Sequence, residues 1–141
     1  MKKIISSIQT RFPKCCNRSI EKALVLSYTR SKSIRYCDSD IISSFLAGDD
    51  SGYELIADYI DSNTSIKDLD DLIVAFEMLV DSNEKKNKGV VYTPPIIRDY
   101  ISDNVIGNEN IPKLIDPSCG CGAFLISSVK AIKNKHNISY T

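Results

Sequence analysis

Apolar side chains recur at helical spacing through the first 80 residues, and polar turns separate the runs. A repeat of three to four residues places apolar side chains on one face of a helix. The pattern therefore predicts four short amphipathic helices in this part of the chain. In the first three, the apolar positions are Ile20, Ala23, Leu24 and Tyr28; Ile41, Ile42, Phe45 and Leu46; and Tyr53, Ile56 and Ile60.

Polar residues that can accept a backbone hydrogen bond stand before two of these runs. Asn17 or Ser19 is predicted to cap the first helix, and Asp38 or Asp40 the second. Gly48 follows the second run, where glycine commonly ends a helix. These start and stop signals support the helical interpretation beyond periodicity alone.

The fourth predicted helix follows Ser65 and has the most regular apolar face. Ser65 and Asp68 have the spacing of a capping box, in which each side chain accepts a hydrogen bond from the other residue's backbone N–H. The apolar face consists of Ile66, Leu69, Leu72, Ile73, Phe76, Leu79 and Val80. Four such helices can bury one modest core, and no pattern of catalytic residues lies on them, so we expect a packing domain.

A polar, charged stretch at 81–89 separates the helical part from the rest of the chain. Such a composition is typical of a solvated connection between domains. We place the boundary near Gly89. This predicts a helical amino-terminal domain at 1–88 and a second domain at 89–141.

A further helix is predicted just after this boundary. Thr93 is the predicted N-cap, and Pro94 is the predicted first helical residue, a position where proline's missing N–H does no harm. The apolar face of this helix consists of Ile97, Tyr100, Ile101 and Val105.

The segment 113–132 has the pattern of a strand, a glycine turn and a helix. An apolar run ends in Asp116, Gly120 and Gly122 form the turn, and the helix carries Phe124, Leu125, Val129 and Ile132. Glycines let a ligand approach the backbone, and the N–H groups at a helix start attract anionic or electron-rich atoms. Asp116 can meet a cationic amino group, so a nucleotide-like ligand with an amino-acid tail suits this segment. The alternative is a pair of glycines that serve only a tight turn.

Composition and charge narrow the function classes. The 141 residues contain 18 Lys and Arg and 18 Asp and Glu. The whole chain therefore lacks the basic excess of a protein that holds nucleic acid by its phosphates alone. The sequence contains neither a signal-peptide pattern nor an apolar run of membrane-spanning length, which predicts a cytoplasmic protein without a membrane partner.

The cysteines and the histidine predict neither a metal site nor histidine-based catalysis. The chain has five cysteines, at Cys15, Cys16, Cys37, Cys119 and Cys121. Their spacing fits neither a disulfide framework nor a paired zinc motif, so we expect reduced thiols. The single histidine, His136, lies in a basic run near residue 141, far in sequence from any nucleophile or acid that it would assist.

Two linked motifs resemble the cofactor motifs of adenine-specific N6 DNA methyltransferases, including the modification subunits of restriction systems. They are Val-Tyr-Thr-Pro-Pro at 91–95 and Asp-Pro-Ser-Cys-Gly-Cys-Gly-Ala-Phe-Leu at 116–125, in the order that the family has. Cys121 stands where relatives often have another small residue. The resemblance covers the last third of the chain. It implies an α-helical amino-terminal domain followed by the start of an α/β Rossmann-like, S-adenosylmethionine-dependent methyltransferase domain with an incomplete sheet.

The resemblance implies a role for each matched residue. Six residues occupy the family's cofactor-binding positions: Tyr92, Thr93, Pro94, Asp116, Gly120 and Gly122. The first three would lie against the methionine end of S-adenosylmethionine, and the last three would form the end of the first strand and its cofactor loop. No residue is assigned to catalysis, because the Asn/Asp/Ser-Pro-Pro-aromatic tetrapeptide that holds the flipped adenine does not occur in the sequence.

We therefore expect the chain to be inactive alone and to act on DNA only within a complete enzyme. A specificity subunit or a complementing methyltransferase subunit would be the further partner. The predicted strand at 113–116 has no second strand beside it, so the last third of the chain is expected to be poorly stable by itself.

Two other functions stay open at this point. In the first, the chain is a non-catalytic helical interaction or binding module, and the glycine turn is structural. In the second, it belongs to a methyltransferase that acts on protein or on a small molecule, because the glycine loop would bind the cofactor whatever the acceptor.

Overall fold

The computed structural model describes residues 2–35, 39–47, 52–80 and 92–138, and these residues form seven α-helices and no β-strand. The helices are α1 (Lys2–Arg11), α2 (Asn17–Ser31), α3 (Asp40–Leu46), α4 (Tyr53–Asn63), α5 (Leu69–Leu79), α6 (Pro95–Val105) and α7 (Ala123–His136). The chain divides into two compact units, Met1–Asp81 and Ser82–Thr141. Gly89 lies outside the described residues, so the domain boundary at 88/89 stays a prediction.

Helix α2 lies at the centre of the first unit and packs against α3, α4 and α5, while α1 packs against α4 and α5. Aliphatic core side chains that are at most 1% exposed include Ile8, Ile20, Leu24, Ile56, Ile60 and Ile66. Burying one such side chain contributes about 1.5–3 kcal/mol to stability. The predicted apolar faces of α2 and α4 are confirmed, and this part of the chain is a helical unit with one core.

Helix α3 matches its predicted face only in part. Leu46 is buried, and Ile42 and Phe45 pack against the core, but Ile41 is 83% exposed. The N-cap is Ser39, whose hydroxyl accepts a hydrogen bond from the backbone N–H of Ile42 (3.4 Å). Of the two predicted caps, Asp40 is instead the first helical residue. The other, Asp38, lies outside the described residues, as does the predicted helix stop at Gly48.

Helix α1 is an element that the sequence pattern does not predict. Its buried aliphatic residues Ile5 and Ile8 are separated by Ser6 and Ser7, which have only modest helix propensity. The Ser7 hydroxyl is hydrogen-bonded to the Tyr59 hydroxyl of α4 (2.6 Å). Packing against α4 and α5 therefore stabilises this helix more than its local sequence does.

The start of α5 differs from the prediction because a different side chain caps it. Asp68 is the N-cap, and its Oδ1 accepts a hydrogen bond from the backbone N–H of Asp71 (2.9 Å). Asp71 Oδ2 in turn accepts one from the backbone N–H of Lys67 (3.0 Å). Ser65 therefore does not begin α5. Ile66 lies before the helix and is fully buried.

The start of α2 is held by a contact to the end of α5. Cys16 is the N-cap residue, and Asn17 is the first helical residue. The Asn17 side-chain amide donates a hydrogen bond to the backbone carbonyl of Leu79 (3.0 Å). Asn17 therefore satisfies a carbonyl at the end of α5. The sequence predicted instead that Asn17 or Ser19 would cap α2.

Candidate functional site

Helices α6 and α7 pack side by side in the second unit and run in the same direction. Four hydrogen bonds give the register: Arg98 Nε to Ser127 Oγ (3.1 Å), Ser102 Oγ with Ser128 Oγ (3.4 Å), Lys135 Nζ to the Ile106 carbonyl (2.6 Å), and His136 Nε2 with the Gly107 carbonyl (3.1 Å). Residue numbers rise together in both helices along these contacts. Two parallel helices require the connection 107–122 to return along the pair.

A buried polar link joins the two helices near their amino-terminal ends. Arg98 is 2% exposed, and its Nε donates to Ser127 Oγ, while the Ser127 hydroxyl donates to Asp99 Oδ1 (2.5 Å). Arg98 Nε also lies 4.0 Å from the same Asp99 oxygen. A buried charge is tolerated only when it is paired and hydrogen-bonded, and Ser127 provides part of that environment.

Sequence reasoning missed this link, although a weak signal for it exists. Arg98 and Ser102 are four residues apart on α6, and Ser127 and Ala131 are four apart on α7. All four are at most 3% exposed. Spacing of four places two residues on one face of a helix, so a polar stripe on α6 and a stripe of small residues on α7 mark the faces that meet.

The large apolar side chains of α6 lie on the surface instead. The predicted apolar face is exposed by 40–75%: Ile97, Tyr100, Ile101 and Val105. The predicted helix is confirmed, but within the described residues this apolar face is largely uncovered. The period of the pattern identifies which side chains share a face, but the parallel packing on α7 uses the polar stripe.

The predicted strand at 113–116 is not confirmed, because residues 111–116 have no regular secondary structure. A strand is stable only when a neighbour pairs with its backbone, and the described residues contain no strand. Leu114 is 41% exposed and Ile115 is 90% exposed. The segment borders a groove of about 300 Å³ lined by Ile101, Ser102, Val105, Ile106, Leu114, Ile115, Asp116, Pro117, Phe124, Leu125 and Ser128.

The glycine turn is open on its outer side. Gly120 and Gly122 have φ of 52° and 78°, a region that favours glycine, and a Cβ added at either residue would meet no heavy atom within 4 Å. The backbone N–H of Gly122 donates to the Cys119 carbonyl (2.7 Å), and Asp116 Oδ1 accepts from the Ser118 N–H (3.0 Å). The loop is thus closed internally, and the space above both glycines suits a ligand that approaches the backbone.

The start of α6 lies one residue later than predicted. Pro94 is the N-cap and Pro95 the first helical residue, so Thr93 precedes the helix and is not its cap. Arg98 is hydrogen-bonded to Ser127, so the residues one turn earlier in the two helices, Pro94 and Ala123, lie at the same level. Ala123 directly follows Gly122. The parallel register therefore places the 92–94 segment and the glycine turn at the same end of the pair.

The described residues contain neither a candidate metal-binding cluster nor a candidate membrane-spanning helix. No group of three or more His, Cys, Asp or Glu side chains within 2–35, 39–47, 52–80 and 92–138 is arranged to hold a metal ion. Over the same ranges, no helix has the length and apolar character needed to cross a bilayer.

Comparison with known proteins assigns the chain to a family. The family model for N-6 DNA methylases matches residues 67–140, a range that begins just before α5 and includes α6, the glycine turn and α7. The type II methyltransferase M.CvrRI of Paramecium bursaria Chlorella virus XZ-6E is 30% identical over 73 residues, which are 52% of this chain and 19% of that protein. No solved structure matches the chain. Because the family model spans more than half of its residues, the chain belongs to the N-6 DNA methylase family.

Proposed function

We propose that this chain forms the cofactor-binding, amino-terminal part of an S-adenosylmethionine-dependent adenine-N6 DNA methyltransferase. The observation that carries the proposal is the parallel register of α6 and α7, which brings two distant motifs to one end of a helix pair. Family membership supports the choice of chemistry. S-adenosylmethionine would supply the methyl group, and the chain's own residues would bind and orient it.

The proposed binding residues divide into two groups. Tyr92, Thr93 and Pro94, just before α6, would contact the methionine end of the cofactor. Gly120 and Gly122 would let the cofactor approach the backbone at the start of α7, where N–H groups and the positive end of the helix dipole favour electron-rich atoms. Asp116 would hold the loop through its bond to the Ser118 N–H and present its carboxylate to the cofactor's amino group.

We further propose that methyl transfer requires protein beyond these residues. The Asn/Asp/Ser-Pro-Pro-aromatic tetrapeptide does not occur in the sequence. The exposed apolar face of α6 and the unpaired segment 113–116 are the features expected where further sheet would pack. The matched segment spans about a fifth of the length of its viral relative. The complete enzyme, including any specificity or complementing subunit, would act on DNA in the cytoplasm.

A non-catalytic interaction module is the second candidate. The specific observation in its favour is the lack of a strand ladder in the described residues, since cofactor binding in a doubly wound fold normally uses the ends of paired strands. This candidate predicts a folded chain that does not bind S-adenosylmethionine.

Calorimetric titration of the chain with S-adenosylmethionine distinguishes the two candidates. We expect saturable binding that Asp116→Ala and Thr93→Ala each weaken at least about tenfold, equivalent to about 1.4 kcal/mol. Asp103→Ala removes an exposed carboxylate near the carboxyl-terminal end of α6 and is the matched control, while Thr93→Ser retains the hydroxyl. Circular dichroism verifies that each variant is folded. A folded parent chain that does not bind the cofactor would contradict the proposal and support the interaction module.

A further inference from the structure

The balanced charge of the whole chain conceals a strong segregation within the first unit. Residues 1–35 contain nine Lys and Arg and a single acidic residue, Glu21. Residues 36–81 contain twelve Asp and Glu and a single basic residue, Lys67. Segregation of this size creates a directed electrostatic field even when the net charge is near zero.

The two ends of α2 use their cations differently. At the carboxyl-terminal end, Arg30 contacts two carboxylates of α4, Asp58 (2.8 Å) and Asp61 (3.1 Å). The hydrogen bond that Arg30 donates to Asp58 is the main reason that the pKa of Arg30 is raised. Two acidic residues of α4 therefore neutralise Arg30 at this end of α2.

At the amino-terminal end of α2, three exposed cations lie in and beside the short turn that joins α1 to α2. Arg11 ends α1, Lys14 lies in the turn, and Arg18 is in the first turn of α2. We call these three residues the basic turn. Two backbone hydrogen bonds keep it compact, from the N–H of Phe12 to the Ile8 carbonyl (2.8 Å) and from the N–H of Cys15 to the Phe12 carbonyl (3.1 Å).

Aromatic rings orient the two guanidinium groups of the basic turn. The guanidinium carbon of Arg11 lies 5.4 Å from the ring centre of Tyr59, and that of Arg18 lies 4.2 Å from the ring centre of Phe45. Arg18 also forms an ion pair with Glu21 (3.5 Å), in which Arg18 is 54% exposed. A stacked guanidinium keeps its planar fork of N–H donors ordered, and that fork matches the oxygens of a phosphate.

We propose that the basic turn is a docking surface for the phosphate backbone of duplex DNA. The inference rests on the proposed function in that DNA is the substrate of the complete enzyme. Residues 36–81 of the same unit are acidic and repel a polyanion, and two carboxylates of α4 lie at the other end of α2, so the basic turn is the side from which DNA approaches this unit most favourably. Contacts of this kind position the duplex and do not read its sequence.

The test is fluorescence anisotropy with a labelled DNA duplex at several salt concentrations. Lys14→Gln/Arg18→Gln removes two cations from the basic turn, and Lys32→Gln/Arg35→Gln removes two exposed cations beyond the other end of α2. Each phosphate contact contributes about 0.9 to the slope of log affinity against log salt, so the first variant should lose about 1.8 from that slope. The parent should then lose about 12-fold more affinity than this variant between about 50 and 200 mM salt.

The control variant should retain the parental slope. Arg18→Lys keeps the charge and should also retain most of the parental slope. Lys14→Gln alone should reduce the slope by about 0.9 without disturbing either stacked arginine. Equal losses from both double variants, or an unchanged slope in Lys14→Gln/Arg18→Gln, would overturn the proposal. Titration of the same variants with S-adenosylmethionine separates this outcome from failure of the cofactor site, because the basic turn should not alter cofactor binding.

Discussion

Replacing Ser127 with alanine should loosen the link between α6 and α7 in the second unit. The Ser127 hydroxyl accepts a hydrogen bond from the buried Nε of Arg98 (3.1 Å) and donates one to Asp99 Oδ1 (2.5 Å). Ser127→Ala removes both bonds and leaves the guanidinium, 2% exposed, with one acceptor fewer. Hydrogen bonds to a charged group contribute about 1.5–3 kcal/mol, so we expect a loss of about that size in the stability of the helix pair.

Asp99 accounts for only a small part of this expected loss of stability. The Asp99 side chain is 49% exposed, so water replaces the lost donor there and the ion pair with Arg98 is screened. Ser128→Ala is the matched control, because it makes the same chemical change one residue later. It removes only a 3.4 Å contact with Ser102 and should cost less than about 1 kcal/mol.

Hydrogen-exchange mass spectrometry of the full chain measures this effect locally. Peptides covering α6 and α7 should exchange faster in Ser127→Ala, and those covering α2 and α4 in the first unit should be unchanged. In Arg98→Met the buried charge is gone, so adding Ser127→Ala should cost much less than it does in the parent. Equal exchange in Ser127→Ala and Ser128→Ala, or additive losses in the double variant, would refute the reasoning.

Three further changes have outcomes that can be calculated from the structure. Asp68→Ala removes the N-cap of α5 and should lower the free energy of unfolding by about 1 kcal/mol in urea titrations, whereas Ser65→Ala should have little effect. Gly122→Ala forces alanine into a φ of 78° and should destabilise the second unit by about 1–2 kcal/mol and weaken cofactor binding, while Gly107→Ala, which meets open space without such a φ, should do neither. Burial, and secondarily the charge of Asp68, raises the pKa of Tyr28 above its ordinary value of 10.0. Stability should therefore fall as the pH rises above 10.0, and Tyr28→Phe should reduce that alkaline loss in denaturant titrations followed by circular dichroism.

Much of the helical unit follows directly from the order of residues. Ile20 and Leu24 on α2 and Ile56 and Ile60 on α4 are buried as their spacing predicts. Helix starts were predicted less well, because several polar residues stood at each boundary and only the folded backbone selects among them. Asp68 caps α5 because its carboxylate reaches the Asp71 N–H.

The sequence likewise predicted only part of the candidate site. The chain order of its two motifs was sufficient to suggest the methylase family, which the family match over 67–140 supports. The binding roles of Tyr92, Thr93, Pro94, Asp116, Gly120 and Gly122 stay predictions, as does the Rossmann-like sheet. No local pattern indicated that α6 and α7 are parallel, because the contacts that set their register join residues 26–32 positions apart.

The sequence alone determined which side chains share a helix face and which turns require glycine, because both follow from backbone geometry over a few residues. Only the tertiary structure decided which face meets which neighbour. On α6 the apolar stripe that dominates the pattern is exposed, and the pair is joined through Arg98, Ser102 and Ser127. The physical reason is that a helix has several faces with favourable contacts to offer, and the partner that covers each one is set by packing between segments distant in the chain.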